Sequence, residues 1–243
     1  MNAIALPSRK SEAWRYADVD AVAPLWPLPE PERIVVPAGA RFDRAIVHDA
    51  GGVTQLVLSL GRGATAALHL LNCGGAYSRI ELDVTLHEGA SFTFGGAQLG
   101  RDAETLEIVT TVTHAEPGAF SRQIVRSVLA GQATGTYLGK VAVARGADGT
   151  DAAQSVRAML LDLTATANAR PELEIFADDV KCAHGCAIGE LDAAGLFYLE
   201  SRGLAPAQAK QLMLQAFVAE AFAGAADEER LQALALARLG SLV

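Results

Sequence analysis

The hydrophobic pattern divides the chain into three textures. From Arg33 to about Leu163, short runs rich in Val, Ile, Leu and Thr recur between glycine-containing turns. The runs are Arg33–Val36, Ala45–His48, Gln55–Leu60, Ile80–Leu86, Leu106–Thr113, Ser121–Leu129 and Thr136–Ala144. Several alternate apolar and polar residues, as in Ile80-Glu81-Leu82-Asp83-Val84-Thr85-Leu86, which turns one face of a strand inward and the other outward. A Gly-Ala pair follows such runs at Gly63-Ala64, Gly89-Ala90, Gly118-Ala119 and Gly146-Ala147, about 26 to 29 residues apart. A stack of β coils that turns at one repeated corner produces this recurrence. A meandering β-sandwich also gives short strands between turns. The pattern leaves both open and leans to the solenoid. No long amphipathic helix interrupts the region, which disfavours a doubly wound α/β fold.

The flanks read differently. Leu6 to Asp20 is short, with a helix expected around Ser11–Tyr16, and Pro24, Pro27, Pro29 and Pro31 then favour an extended connector. Beyond the β body, Asp192–Arg202 reads as a helix with Asp192 as N-cap and Gly203 as its stop. Pro206 suits the first turn of a second helix running to about Phe222. Glu228–Leu239 reads as a third, with acidic residues first and Arg238 late, as the helix dipole prefers. The expected organisation is a short helical and extended segment over 1–32, a β body over 33–180 and a small helical domain over 181–243.

Composition narrows the classes. The chain has 243 residues, 51% hydrophobic but only 6% aromatic, so aliphatic side chains carry the packing. A net charge of −8 repels phosphate backbones and argues against a nucleic-acid partner. Three cysteines make a disulfide framework improbable and suit a reducing compartment. Met1–Lys10 has no secretory pattern, and no apolar run approaches membrane-spanning length. A soluble cytoplasmic protein is expected.

Candidate chemistry is sparse. Gly61-Arg62-Gly63-Ala64-Thr65-Ala66 matches a dinucleotide fingerprint, with Glu81 and Asp83 near the ribose-binding spacing. The fingerprint needs a helix after the turn, and Asn72, Gly74 and Gly75 cut that segment short, so a plain turn between strands is the better account. Gly135–Val141 resembles a phosphate-binding loop but is one residue short, with Val141 where a hydroxyl must stand. His48, His69, His87 and His114 are scattered singly and read as packed or surface histidines. Cys73 reads as a small buried residue.

Asp178-Asp179-Val180-Lys181-Cys182-Ala183-His184-Gly185-Cys186 is different. Two thiols and an imidazole lie within five residues, ligands suited to iron, zinc or sulfur species. On a strand, Cys182, His184 and Cys186 share one face. Three ligands on one short segment rarely complete a tetrahedral site, so a metal would need groups from elsewhere, including another subunit. The plain alternative is a glycine-bearing turn with buried cysteines, and spacing alone does not separate the two.

The same segment resembles the C-terminal signature of the SufB/SufD family of iron–sulfur cluster assembly subunits. The resemblance rests on Pro171–Ile175, Ala177–Gly185, Ile188–Asp192, Leu196–Leu199 and Ser201–Gly203. Leu160–Asp162, Ala216-Phe217 with Glu220, and Lys10–Tyr16 also fit. Cys-x-His-Gly followed by Gly-x-Leu-Asp is similar to the SufD branch. The resemblance implies a right-handed parallel β-helix followed by a helical domain, in a non-catalytic scaffold. It implies pairing with SufB, and recruitment of the ATPase SufC through the helical domain. It also implies a transient cluster assembled at the subunit interface, with no cofactor held stably by the chain alone. His184 matches the interface histidine, and Cys182 the cysteine beside it. Cys186 stands where the family more often has a small or hydroxyl residue. The chain is short for the family, lacking much of the N-terminal helical region. Phe197 is expected in the core and Arg202 at a SufC contact, and a homodimer is an expected state without SufB. The rival reading is a stand-alone metal- or nucleotide-dependent enzyme using Cys182, His184 and Cys186, or the Gly61–Ala66 turn.

Overall fold

A computed structural model describes residues 6–242. Residues 1–5, part of the expected N-terminal segment and of the Met1–Lys10 stretch, lie outside the described residues. Twelve strands build the body: β1 Glu32–Val36, β2 Arg41–His48, β3 Gly52–Leu60, β4 Thr65–Asn72, β5 Tyr77–Leu86, β6 Ser91–Gly100, β7 Thr105–His114, β8 Phe120–Leu129, β9 Thr134–Val143, β10 Thr150–Leu160, β11 Thr166–Ile175 and β12 Val180–Gly189. Odd strands form one six-stranded sheet, β1-β3-β5-β7-β9-β11, and even strands the other, β12-β10-β8-β6-β4-β2. The strand pairings are parallel. Consecutive strands therefore alternate between sheets, and the chain winds as a β-solenoid.

The repeated corner is the Gly-Ala pair. Gly63, Gly89, Gly118 and Gly146 all have positive φ, between 62° and 76°. That conformation carries no steric penalty only for glycine. Each following alanine is at most 1% exposed. The corner amides also bond from coil to coil, as in Gly63 N–H to Glu88 O, Gly89 N–H to Pro117 O and Gly118 N–H to Asp148 O. Inside the coil, Leu58, Leu60, Leu68, Ile80, Val84, Phe92, Phe94 and Ile108 form the main core.

The β body runs on to Gly189, so the boundary expected at 180 falls at the start of its last strand. The helical unit follows: α2 Ala193–Ser201, α3 Pro206–Ala219, a 3-10 turn Glu220–Phe222 and α4 Glu228–Leu239. The Asp192 carboxylate caps α2, accepting from the amides of Ala194 and Gly195. α3, the 3-10 turn and α4 fold back onto the outer face of the even sheet. There Leu214, Val218, Phe222, Leu231, Ala235 and Leu239 bury against Leu71, Ala97, Leu99 and Val128. Gly95 permits this contact: a Cβ there would lie 1.8 Å from the carbonyl oxygen of Ala221. At the N-terminus, a 3-10 turn Glu12–Trp14 stands where a helix is expected over Ser11–Tyr16, and a short helix α1 Val19–Val22 follows. No helix among the described residues is long and apolar enough to cross a membrane.

Two fully buried arginines, Arg79 and Arg126, pin these flanks, one on each sheet. Arg79 pairs with Glu81 at 2.6 Å and with the buried Glu107, donates to the Ala13 carbonyl and lies 4.0 Å from the Trp14 ring centroid. Arg126 pairs with Glu220 at 2.8 Å, donates to the Ser155 carbonyl and lies 5.7 Å from the Phe217 ring. Removing one member of a buried pair strands the other charge without solvent or partner. Arg79→Met is therefore expected to cost about 3–5 kcal/mol, and Arg79→Met/Glu107→Leu to recover most of it, by urea denaturation. Gly95→Ala is expected to cost about 1–3 kcal/mol and to speed amide exchange in α3 before the solenoid core.

Candidate functional site

The last strand positions the sequence-predicted ligands. Among the described residues β12 pairs with β10 only, in the register Ala152 to Cys182, Gln154 to His184 and Val156 to Cys186. Ala152, Gln154 and Val156 are buried, on the inward face of their coil. Cys182 and Val180 accordingly pack on the core residues Val141, Val143, Ala147 and Ala152. By alternation His184 and Cys186 face the same way. With no further coil above them, Cys182 is half-buried and His184 and Cys186 are exposed. The outward positions are Lys181, Ala183, Gly185, Ala187 and Gly189, so beyond Lys181 that face is nearly smooth.

This row does not make a closed metal site. Residues two apart on a strand are separated by about 6.6 Å and those four apart by about 13 Å. Cys182 and Cys186 are thus too distant for a disulfide, which needs Cα atoms within about 7 Å. Among the described residues, no group of three or more His, Cys, Asp and Glu side chains converges to hold a metal ion. Each of the three offers one donor from the inward face of the last coil.

Burial raises the pKa of the Cys182 thiol, partly countered by a backbone hydrogen bond with Ala152, and raises that of Cys186 as well. Both are held as thiols at neutral pH, whereas the thiolate is the ligand and nucleophile.

The other candidates separate clearly. Gly61–Ala64 is a coil corner whose amides are spent on Val36, Glu88 and Gly61 carbonyls, and Thr65 opens strand β4 rather than a helix. The dinucleotide reading, and with it the cofactor-turn version of an enzyme, has no anion-binding helix start to stand on. Gly135–Val141 lies within β9 and is no loop. His114 is fully buried, bonded to Ser121 at 2.8 Å, and burial lowers its pKa to about 4. His48 bonds Ser78 at 2.8 Å, and His87 lies 3.1 Å from Glu116. His69 is buried beneath the helical unit and Cys73 is half-buried.

α2 departs from expectation. It buries none of its residues, and Phe197, expected in the core, is 73% exposed. Tyr198 beside it is also exposed, with the Arg202 guanidinium 5.1 Å from its ring. Leu163, at the tip of the β10–β11 turn, is 98% exposed. A groove lined by Leu161, Asp162, Glu190, Leu191, Leu196 and Lys210 runs between the last coils and the helical unit. Helical periodicity finds an apolar face but does not say whether the chain itself covers it.

Residues 33–217 match the family described as SUF system FeS cluster assembly, SufBD core domain. The chain belongs to the SufB/SufD family. It is 32% identical over 184 residues to the iron-sulfur cluster assembly protein SufD of Escherichia coli (strain K12), covering 75% of this chain and 43% of that one. It is 28% identical over 184 residues to SufD of Bacillus subtilis (strain 168), covering 72% of this chain and 41% of that one. It is 32% identical over 173 residues to the SufBD family protein slr0076 of Synechocystis, covering 71% of this chain and 38% of that one. The matched region thus spans less than half the length of these relatives. With two of them named SufD, this member of the family is SufD-like.

The raised thiol pKa values carry an expected outcome. Per thiol, Cys182 and Cys186 should alkylate more slowly at pH 7 than a free cysteine, with rates still climbing above pH 9. Site-resolved mass spectrometry after an iodoacetamide pulse measures this; faster labelling at pH 7 would contradict it.

Proposed function

We propose that this chain is a non-catalytic scaffold subunit for iron–sulfur cluster assembly, contributing one half of a shared site. The observation that carries the reading is the last coil. It presents Cys182, His184 and Cys186 inward on a strand whose far edge is unpaired. Solenoids and sheets protect such an edge with charges, prolines or a covering helix. From Ala183 to Gly189, β12 has no Asp, Glu, Lys, Arg or Pro. Beyond Lys181 at its start, this uncharged edge with a smooth outer face suits strand addition by a second solenoid. SufB is the expected occupant, and a second copy of this chain the expected substitute in its absence. His184 is the best candidate ligand, with Cys182 beside it and Cys186 as this chain's own addition. The nascent cluster is cargo, completed by ligands of the other subunit and not retained by this chain alone.

Recruitment of the ATPase SufC belongs to the same reading. α2 offers Phe197 and Tyr198 to solvent, with Arg202 at its C-terminal end, while its Leu196 lines the same groove as Leu163. A helix that leaves its aromatic residues uncovered is a natural docking element. ATP hydrolysis by SufC would shift the two solenoids relative to one another and open the shared site. A stand-alone metal enzyme using Cys182, His184 and Cys186 is less well supported, because the three donors are spread along one strand.

The two parts of the interface are expected to separate genetically. Ala187→Lys, which places a charge on the smooth face of β12, should abolish copurification with co-expressed SufB. His184→Ala should leave copurification intact and lower cluster reconstitution to about a tenth or less. Full cluster assembly by His184→Ala in the presence of SufB and SufC would overturn the site assignment.

A further inference from the structure

The inward column beneath His184 changes character along the stack. In register from coil to coil it reads Leu68, Phe94, Gln123, Gln154 and His184. The first two belong to the apolar core, while Gln123 and Gln154 are amides that are at most 2% exposed. A buried amide in an aliphatic core is costly unless both its ends are bonded. Here the two amides share one bonded cluster, in which Thr110 Oγ1 also lies 3.0 Å from Tyr137 Oη and Gln123 Nε2 is left without a partner. The Thr110 hydroxyl donates to Gln123 Oε1 at 2.9 Å. The Tyr137 hydroxyl donates to the same oxygen at 3.2 Å. With its proton so used, the Tyr137 oxygen accepts from Gln154 Nε2 at 3.4 Å. Gln154 Oε1 is left on the other side of its amide, buried and without a partner. The next inward residue up the column, one strand spacing of about 4.8 Å away, is His184. Among the described residues the His184 ring has no hydrogen-bond partner.

We propose that Gln154 is a positioning residue for His184. One ring N–H of His184 donates to Gln154 Oε1, and the other ring nitrogen keeps its lone pair toward the open end of the stack. A ligating histidine is ordinarily oriented this way, with one nitrogen bonded to the protein so that the tautomer and the direction of the lone pair are set. The network Thr110–Gln123–Tyr137–Gln154 runs back into the core, so the orientation is anchored in rigid coils rather than in the edge strand itself. The proposal rests on His184 being the ligand of the proposed function, but concerns only the ring's orientation.

The test reads that orientation directly. The full chain has five histidines, and His184→Ala identifies its signals in the nitrogen-15 spectrum of histidine-labelled protein. Above the titration range of imidazole, the two ring nitrogens differ strongly when one tautomer dominates. The expected result is a single dominant tautomer for His184 in the wild type. Gln154→Leu, close in volume and apolar, should collapse it to an averaged pair of shifts. Gln154→Glu, which keeps an acceptor oxygen, should retain it. Circular dichroism and unchanged signals from His114 establish that each variant is folded. An unaltered tautomer in folded Gln154→Leu, or an averaged one in the wild type, would overturn the proposal. Neither result depends on cluster assembly, so loss of the orienting bond and loss of the ligand role are told apart.

Discussion

A parallel stack of β coils cannot satisfy its own last strand. Each coil bonds the one below and the one above, and the first and last are left with a row of unpaired N–H and C=O groups. Every other feature of this molecule is arranged around that constraint. Repeated Gly-Ala corners hold the coils in register, and the helical unit lies along the side of the even sheet rather than across the end of the stack. Among the described residues, no strand pairs with the outer edges of β11 and β12.

The buried arginines explain why the flanks lie along the sheets. A parallel sheet buried on both faces reads as nearly continuous apolar sequence, and most of β6 and β8 is buried in this way. Arg79 and Arg126 interrupt that covering with a charge that must be matched. Each is matched by a carboxylate and faced by an aromatic ring, Trp14 from the N-terminal segment and Phe217 from α3. For Arg126 the carboxylate, Glu220, comes from the flank itself, whereas for Arg79 the carboxylates lie on the sheet and the flank supplies the Ala13 carbonyl and the Trp14 ring. Buried pairs of this kind add little net stability, because the cost of desolvating both charges offsets their attraction. Arg238 repeats the device at the end of α4, pairing with Glu104 and donating to the Leu99 carbonyl.

The sequence made the corners legible because a positive φ has one cheap solution, glycine, and the buried position after it has room only for alanine. β5 and β7 were legible because one face alternates. β6 and β10 escaped notice: the former is buried nearly throughout and the latter is built on Ala, Gln, Ser and Val with little contrast. β12 hid for another reason. Cys-Ala-His-Gly-Cys-Ala-Ile-Gly has almost no β-branched residues, and glycine suggests a turn until the strand beside it is known. The ligand row could be read from spacing, but its orientation toward the core, and the buried Gln154 below it, depend on a register that only the coil geometry sets. The exposed Phe197 is the opposite case: its apolar character was plain, and its lack of a cover was not.

The position of the ligand row also fixes how it can be influenced. β12 has one neighbour in its sheet instead of two, so it belongs to the least stable part of the solenoid and opens at lower cost than the coils beneath. Only Glu190, Leu191 and Asp192 separate its end from the start of α2. α2 in turn is the helix with no buried residue, whereas α3 and α4 are fastened to the sheet through Leu214, Phe222 and Leu239. α2 rests on α3, with Gly195 against the Met213 side chain, and is joined by three residues to the strand that carries His184. The edge coil, the candidate ligands and the helix with the most exposed aromatic residues thus lie in one continuous stretch of chain, so a change in the path of Glu190–Asp192 displaces all three together.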